Sequence, residues 1–213
     1  MPDRRSERLW SQIDFLLAES GLRIEDIELF SVCTGPGGFT GIRVGMAAAK
    51  GLARAAERPL IGVTSLEAVA AAAVPAPAIL VMTRAHQGEV FSQLFRSDSS
   101  DVPVAEDSPM VSLPEDALAR AGVRKRLTII GEGAIDNAEL IDKVASSMSG
   151  GGRHGWVLGR SPEMLAPWVA RVAEVRYSCG ESSNPQEVRA TYVRPSQAEA
   201  KLALGLVGPG LRR

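Results

Sequence analysis

Thr34 to Gly41 reads TGPGGFTG, and four of these residues, Gly35, Gly37, Gly38 and Gly41, are glycines. A buried strand running through such a turn into a helix is an arrangement that binds anions. Backbone N–H groups and the positive end of the helix dipole converge there. Gly35, Gly37 and Gly38 are therefore the candidate cofactor-binding residues, with a phosphate as the group they would cradle. The spacing departs from both familiar phosphate loops. A G-x-G-x-x-G fingerprint requires glycine where Thr40 stands, and a G-K-[ST] loop requires a lysine at the turn. Lys50 sits between Ala49 and Gly51, well inside the following helix.

Other chemistry-bearing residues do not assemble into a constellation. His86 and His154 are the two histidines, far apart and without a second ligand at helical spacing, so no H-x-x-x-H metal site can form. Ser65 lies in GVTSLE, outside G-x-S-x-G, and reads as a helix cap. Glu67 is accounted for by the first-turn dipole. Glu89, among apolar strand residues, suits a structural ion pair better than general base catalysis, with Arg43 as a candidate partner. Arg43 follows the glycine turn and either pairs internally or faces a ligand. Cys33 and Cys179 lack CxxC spacing and read as packed thiols in a reducing compartment. No catalytic residue and no metal ligand emerges.

The helix after the turn, residues 41–56, carries a second signal. Gly41, Gly45 and Ala49 recur every four residues, with Ala48 and Leu52 beside them. Glycine inside a helix costs up to about 1 kcal/mol against alanine, so its repetition implies a steric need. A face of hydrogens and methyls lets another backbone approach closely and gain dispersion contacts. From composition alone, packing on the chain's own sheet leads over an intermolecular contact. Residues 6–20 form an amphipathic helix with Leu9, Trp10, Ile13, Leu16 and Leu17 on one face, a stripe that serves a core as readily as an interface.

These features must be positioned by an α/β framework. IELFSVCTG and PLIGVTS read as strands flanking the helix of residues 41–56, and SLEAVAAAAV begins a further helix, with Ser65 placed to cap it. Strand, helix, strand, helix at this spacing predicts a parallel sheet with crossover helices. VPAPA is the candidate boundary between an N-terminal subdomain, 1–77, and a C-terminal one, 78–213, ending in a helix and a flexible tail. Beyond it AILVM and GEVFSQLF suggest a hairpin, followed by the polar turn RSDSSD. LTIIGEGA suggests a buried strand, with a helix from about residue 137. SMSGGGRHG reads as a flexible loop. SPEMLAPWVARVAEV reads as a helix capped by Ser161, with Pro162 in its first turn.

Bulk properties narrow the function classes. The 213 residues are 45% hydrophobic and 23% charged, with a net charge of −1. That balance suits an ordinary globular chain and gives no overall field to attract nucleic acid. RKR at residues 124–126 reads as a solvated turn. No apolar run is long enough to span a membrane, and the polar start MPDRRSERLW lacks a signal's apolar core. The expected location is the cytoplasm.

GPGGFTGIRVGMAAAKGLARAAERPLIGVTSLEAVA resembles the signature of the TsaB (YeaZ) family of bacterial tRNA threonylcarbamoyladenosine biosynthesis proteins. Its members read G-P-G-S-F-T-G-[LI]-R-[IV]-G here, then A-K-G-L-A and G-V-[ST]-S-L-E. GEVF and TYVRPSQAE are similar to the family's G-E-V-Y and Y-[LV]-R-x-x-x-A-E, and RSERLWSQIDFLL is similar to its first helix. The resemblance implies an actin-like, sugar-kinase-like (ASKHA) fold of two α/β subdomains. It also implies a non-catalytic paralogue of TsaD, the metal-bearing protein that transfers threonylcarbamoyl to adenosine-37 of ANN-decoding tRNAs. TsaD is the implied partner, the ATPase TsaE joins the larger complex, and tRNA is met only within it. In the family the first two helices form both the homodimer and the TsaD heterodimer. On that basis the implied interface residues are Leu9, Ile13, Leu16, Gly41, Gly45, Ala48, Ala49 and Leu52, and an intermolecular contact becomes the favoured reading of the small-residue face.

Three departures qualify the resemblance. Gly38 stands where the family has a serine, which removes a hydroxyl from the loop. RAHQ replaces the family's D-A-R-[RM]. The three strands that open family members on a motif like A-I-D-T-S have no counterpart. The expectation is an N-terminal subdomain lacking its first strands, leaving the strand at residues 29–33 with an open edge, and either a misplaced start or a shortened chain. ATP binding by this chain alone is not expected. A nucleotide-dependent transferase of the sugar-kinase type, using residues 35–41, and a glycoprotease are the competing readings.

Overall fold

The computed structural model describes residues 4–97, 102–122, 124–148 and 155–193. Within them α1 (Arg4–Ser20) is followed by a short 3-10 turn, β1 (Phe30–Cys33), α2 (Phe39–Ala55), β2 (Leu60–Val63) and α3 (Ser65–Ala71). Next come β3 (Ile79–Arg84), β4 (Val90–Arg96), β5 (Val104–Ala105), β6 (Met110–Ser112), α4 (Pro114–Ala121) and β7 (Arg126–Ile130). The remaining elements are α5 (Glu132–Asp136), α6 (Ala138–Met148), β8 (Gly155–Leu158) and α7 (Ala166–Ser178).

Strands β1 and β2 pair in parallel, Phe30 opposite Leu60 and Cys33 opposite Val63, with α2 as the crossover. A second, mixed sheet has the order β5-β4-β3-β7-β8, and β6 pairs with β4. The β3–β4 hairpin is antiparallel, whereas β3–β7 and β7–β8 are parallel. Its turn places Gln87 and Gly88 at φ 58° and 79°. Two successive left-handed residues match the twist of the flanking strands.

Alternation along the strands divides the larger sheet into two apolar faces. Leu80, Met82, Leu127 and Ile129 pack with Ala117 and Leu118 of α4 and Ile141 of α6. On the other face Ile79, Val81, Phe95 and Ile130 meet Leu66, Val69 and Ala70 of α3. The same short helix turns Ala68 and Ala71 toward Ile61 and Val63 of β2, where Val169, Val172 and Ala173 of α7 complete the cluster. Helix α3 is thus buried at every residue but Glu67 because it lies between the two sheets. Helix α2 covers the opposite face of the small sheet, Met46 and Ala53 packing on Val32, Leu60 and Val188. Although α7 follows the 77/78 boundary in sequence, it packs on β1 and β2.

Several local expectations are corrected. Thr64, not Ser65, caps α3, because its hydroxyl accepts from the Glu67 N–H while Glu67 reaches back to the Thr64 N–H. Helix α7 begins at Ala166 with Pro167 in its first turn, not at Ser161 and Pro162. Leu165, just before it, is held between two core clusters, which fixes where the chain turns. Strand β8 runs from Gly155, the last residue of the expected loop, whose residues 149–154 lie outside the described ones.

Candidate functional site

The glycine turn is built inward. Thr34 is buried; its N–H donates to the Val63 carbonyl at 2.9 Å and its carbonyl accepts from the Thr191 N–H at 2.8 Å. The two threonine hydroxyls lie 3.2 Å apart. Gly35 has φ +99°, and a Cβ there would meet Ile42 Cδ1 at 2.8 Å and the Thr191 carbonyl at 3.1 Å. Both the left-handed backbone and the close approach require glycine.

The groups this turn offers to α3 are acceptors. The Gly35 carbonyl accepts from the Ser65 N–H at 2.8 Å, and the Pro36 carbonyl accepts from the Ser65 hydroxyl at 2.6 Å. The first N–H of α3 is therefore taken by a loop oxygen, and the Ser65 hydroxyl is committed to a second. Gly37 and Gly38 are exposed, and Gly38 is the N-cap of α2 without a side-chain cap. Burial pushes the Cys33 thiol up, a bond with the Gly35 backbone lowers it in part, and the Glu67 carboxylate raises it. A thiol so placed is held protonated, which is unfavourable for a nucleophile.

A strap from the end of the described chain closes over this turn. The Arg43 guanidinium lies 3.7 Å above the Phe39 ring, and its Nε donates to the Tyr192 hydroxyl at 3.2 Å. The Phe39 and Tyr192 rings stand 5.4 Å apart. The small gap beneath, about 150 Å³, is lined by Pro36, Phe39, Ile42, Phe91 and Tyr192, and it suits an apolar group more than a phosphate. Arg43 is thus engaged by a cation–π contact and a phenol. Sequence reading misses this clasp because its members lie some 150 residues apart, beyond the reach of any spacing rule.

Around RAHQ, Arg84 pairs with Asp136 through two hydrogen bonds, and His86 is exposed in the hairpin turn. The Asp136 carboxyl is held below its ordinary range by its bond to Arg84. His154 lies outside the described residues. Among the described residues no group of three His, Cys, Asp or Glu side chains is placed to hold a metal, and no helix is long and apolar enough to cross a membrane.

The expected interface residues occupy a different surface. No described side chain of α1 is buried: Leu9 and Ile13 are half-buried, and Trp10, Phe15 and Leu16 are 50%, 63% and 62% exposed. On α2, Gly41 is exposed and Gly45 half-buried, and a Cβ at either would meet nothing within 4 Å. Ala48 is buried, Leu52 half-buried, and Ala49 packs against the core of the small sheet. The stripe is therefore divided. Ala49 serves the fold, whereas nothing among the described residues explains the absence of side chains at Gly41 and Gly45.

Residues 3–114 match the family model described as TsaD, tRNA N6-adenosine threonylcarbamoyltransferase. The chain is 33% identical over 117 residues to the tRNA threonylcarbamoyladenosine biosynthesis protein TsaB of Escherichia coli, covering 54% of this chain and 51% of that protein. It is 39% identical over 95 residues to the Haemophilus influenzae protein of the same name, covering 43% and 40%. The chain spans about half the length, or less, of these curated relatives. Among solved structures, YeaZ from Pseudomonas aeruginosa superposes with a TM-score of 0.66 at 22% identity over 88% of this chain and 84% of that one. A second Pseudomonas aeruginosa protein, described as similar to peptidase YEAZ, gives 0.71 at 21% over 91% and 86%. The fold is the actin-like, sugar-kinase-like α/β fold with a mixed sheet.

Proposed function

The chain belongs to the TsaD family, within its TsaB (YeaZ) branch, and from that premise we propose that it is a non-catalytic partner of a TsaD-like enzyme in threonylcarbamoylation of adenosine-37 in ANN-decoding tRNAs. The observation that carries this reading is the pair of helices α1 and α2. One presents Trp10, Phe15 and Leu16 to solvent, and the other leaves open space at Gly41 and Gly45. Two helices approach closely where small residues let backbones meet, and large apolar side chains beside them supply the buried area. A second copy competes for the same surface, so homodimer and heterodimer exclude each other. A TsaE-like ATPase joins the larger assembly in the cytoplasm, and tRNA is met within it.

The glycine turn holds no nucleotide in this reading. Support comes from the Gly35 and Pro36 carbonyls, which face inward onto Ser65 of α3, and from the aromatic clasp across the turn's mouth.

The test is co-purification of this chain with its TsaD-like partner, comparing the parent with Gly45→Leu. A leucine at that point fills the open space without disturbing the fold and should abolish capture. Capture unchanged by Gly45→Leu would sink the interface assignment. Calorimetric titration with ATP tests the transferase reading: heat that disappears on Gly37→Val would establish a nucleotide site in the turn.

A further inference from the structure

Helix α2 has a second surface that the docking face does not use. Beside its last turns lies a cavity of about 520 Å³, closed on its other side by residues 182–186. Lys50, Arg54 and Arg58 line it, against a single carboxylate, Glu57. Among the described residues none of these three cations makes an ion pair, whereas Arg84, Arg120, Arg124 and Arg176 all do. The floor is apolar, with the fully buried Ala53 beneath it and Pro59 and Pro185 at its sides. Gly51 also lines the cavity, and a Cβ there would meet nothing within 4 Å. A volume of this size, with polar and cationic side chains set around an apolar floor, is the form of a small-ligand site.

We propose that this cavity holds a phosphate group, carried by an RNA backbone or by a free phosphate ester. Guanidinium groups present paired N–H donors that match phosphate oxygens, and two of them with an ammonium supply the charge. The C-terminal end of a helix dipole opposes an anion, but here the exposed carbonyls are covered. The Arg58 N–H donates to the Ala53 carbonyl at 2.9 Å and the Glu57 N–H to the Arg54 carbonyl at 3.2 Å, so the helix ends in a closed Schellman turn. What remains of the dipole is outweighed by three nearby cations. The absence of a side chain at Gly51 lets the ligand reach the helix backbone.

The position matters as much as the charge. At about 100° per residue, Lys50 and Arg54 project roughly 160° around α2 from Gly41, Gly45 and Leu52, and Gly51 about 100°, while Arg58 follows the helix end. A partner docked on the small-residue face leaves the cavity open. The site therefore stands independently of the partner proposed above, and either can fail without the other.

The full chain is titrated with inorganic pyrophosphate by calorimetry and with a labelled RNA hairpin by anisotropy, at low and moderate salt. Arg54→Gln with Arg58→Gln removes the charge; Gly51→Leu fills the cavity and leaves the charge intact; Arg23→Gln, an exposed arginine elsewhere, is the control. The double variant should weaken binding by at least about tenfold, the size of one charge-assisted hydrogen bond, and Gly51→Leu should weaken it as well. RNA affinity should fall with the logarithm of salt at a slope near −0.7 per phosphate held. Loss of RNA binding assigns the phosphate to an RNA backbone, and loss confined to pyrophosphate assigns it to a free ester. Both affinities unchanged in the double variant, or neither probe bound by the parent chain, overturns the proposal.

Discussion

Arg176, in the last turn of α7, donates to the Glu67 carboxylate, which closes the capping box of α3 with Thr64. The other Glu67 oxygen accepts from the Thr64 N–H and hydroxyl, both at 2.8 Å, and a second Arg176 nitrogen donates to the Gly62 carbonyl at 3.3 Å. One carboxylate therefore ties a helix start, the end of β2 and a helix from the far end of the chain.

Both side chains are largely withdrawn from water, 26% exposed for Arg176 and 17% for Glu67. Removing one partner of such a pair leaves the other poorly solvated, which costs more than the net worth of the pair. Arg176→Met should destabilise the chain by about 2 kcal/mol. Glu67→Gln keeps the acceptor for Thr64 and should cost less than Glu67→Ala. Urea denaturation measures all three, and costs below the scatter of surface mutations would show the network to be incidental.

Among the described residues, two carry left-handed backbone without being glycine. Glu57 has φ 54° at the close of α2, and Gln87 has φ 58° at the hairpin turn. A side chain at either position strains the backbone, and a Schellman turn prefers glycine where Glu57 stands. Glu57→Gly should stabilise the fold by about 0.5–1 kcal/mol, and Gln87→Asn should act in the same direction because asparagine tolerates this region better. A lowered melting temperature for both variants would contradict the assignment of strain.

Much of the framework is legible in the residues, and what escapes has physical causes. FSVC, LIGV and ILVMTR form strands where apolar runs meet glycine or proline, and SLEAVAA is a helix, although its cap is Thr64 and not the Ser65 that the pattern suggests. Ser161 and Pro162 imitate a helix start equally well, yet α7 waits until Ala166 because Leu165 is drawn between two cores, a tertiary demand invisible to local pattern. Strand β8, GWVL, is too short and too close to the glycine-rich loop to stand out, and it lies at the edge of the sheet with Val157 and Leu158 60% and 42% exposed. Within the candidate site the glycine turn announces itself, but its partner Tyr192 sits in a polar stretch that acquires meaning only when folded over Phe39 and Arg43.

The two cysteines should differ in reactivity. Cys33 is half-buried with its thiol raised above the ordinary value, chiefly by desolvation, while Cys179 is exposed at the end of α7. A thiol whose folded pKa is raised contributes stability that is complete below the unfolded pKa, about 8.5, and is lost as pH rises through the folded value. A thiol-disulfide reagent at neutral pH should therefore label one residue per chain quickly, and Cys179→Ser should abolish that fast phase. Stability at alkaline pH should decline less in Cys33→Ala than in the parent, relative to each protein at neutral pH. Equal fast labelling of both thiols would contradict the burial of Cys33.

Gly35 and Gly45 separate the demands of the fold from those of a partner. At Gly35 a methyl would press on Ile42 and the Thr191 carbonyl from a left-handed backbone, so Gly35→Ala should destabilise the chain by about 1–3 kcal/mol. At Gly45 a methyl meets nothing within 4 Å among the described residues, and alanine is the better helix former by about 1 kcal/mol. Gly45→Ala should thus raise the melting temperature of the isolated chain while weakening capture of a TsaD-like partner. Opposite signs in those two measurements on one variant would mark a residue kept for close approach by another helix. A gain in stability with capture intact would mean that the open space at Gly45 serves no partner, and the docking face would have to be sought on α1 alone.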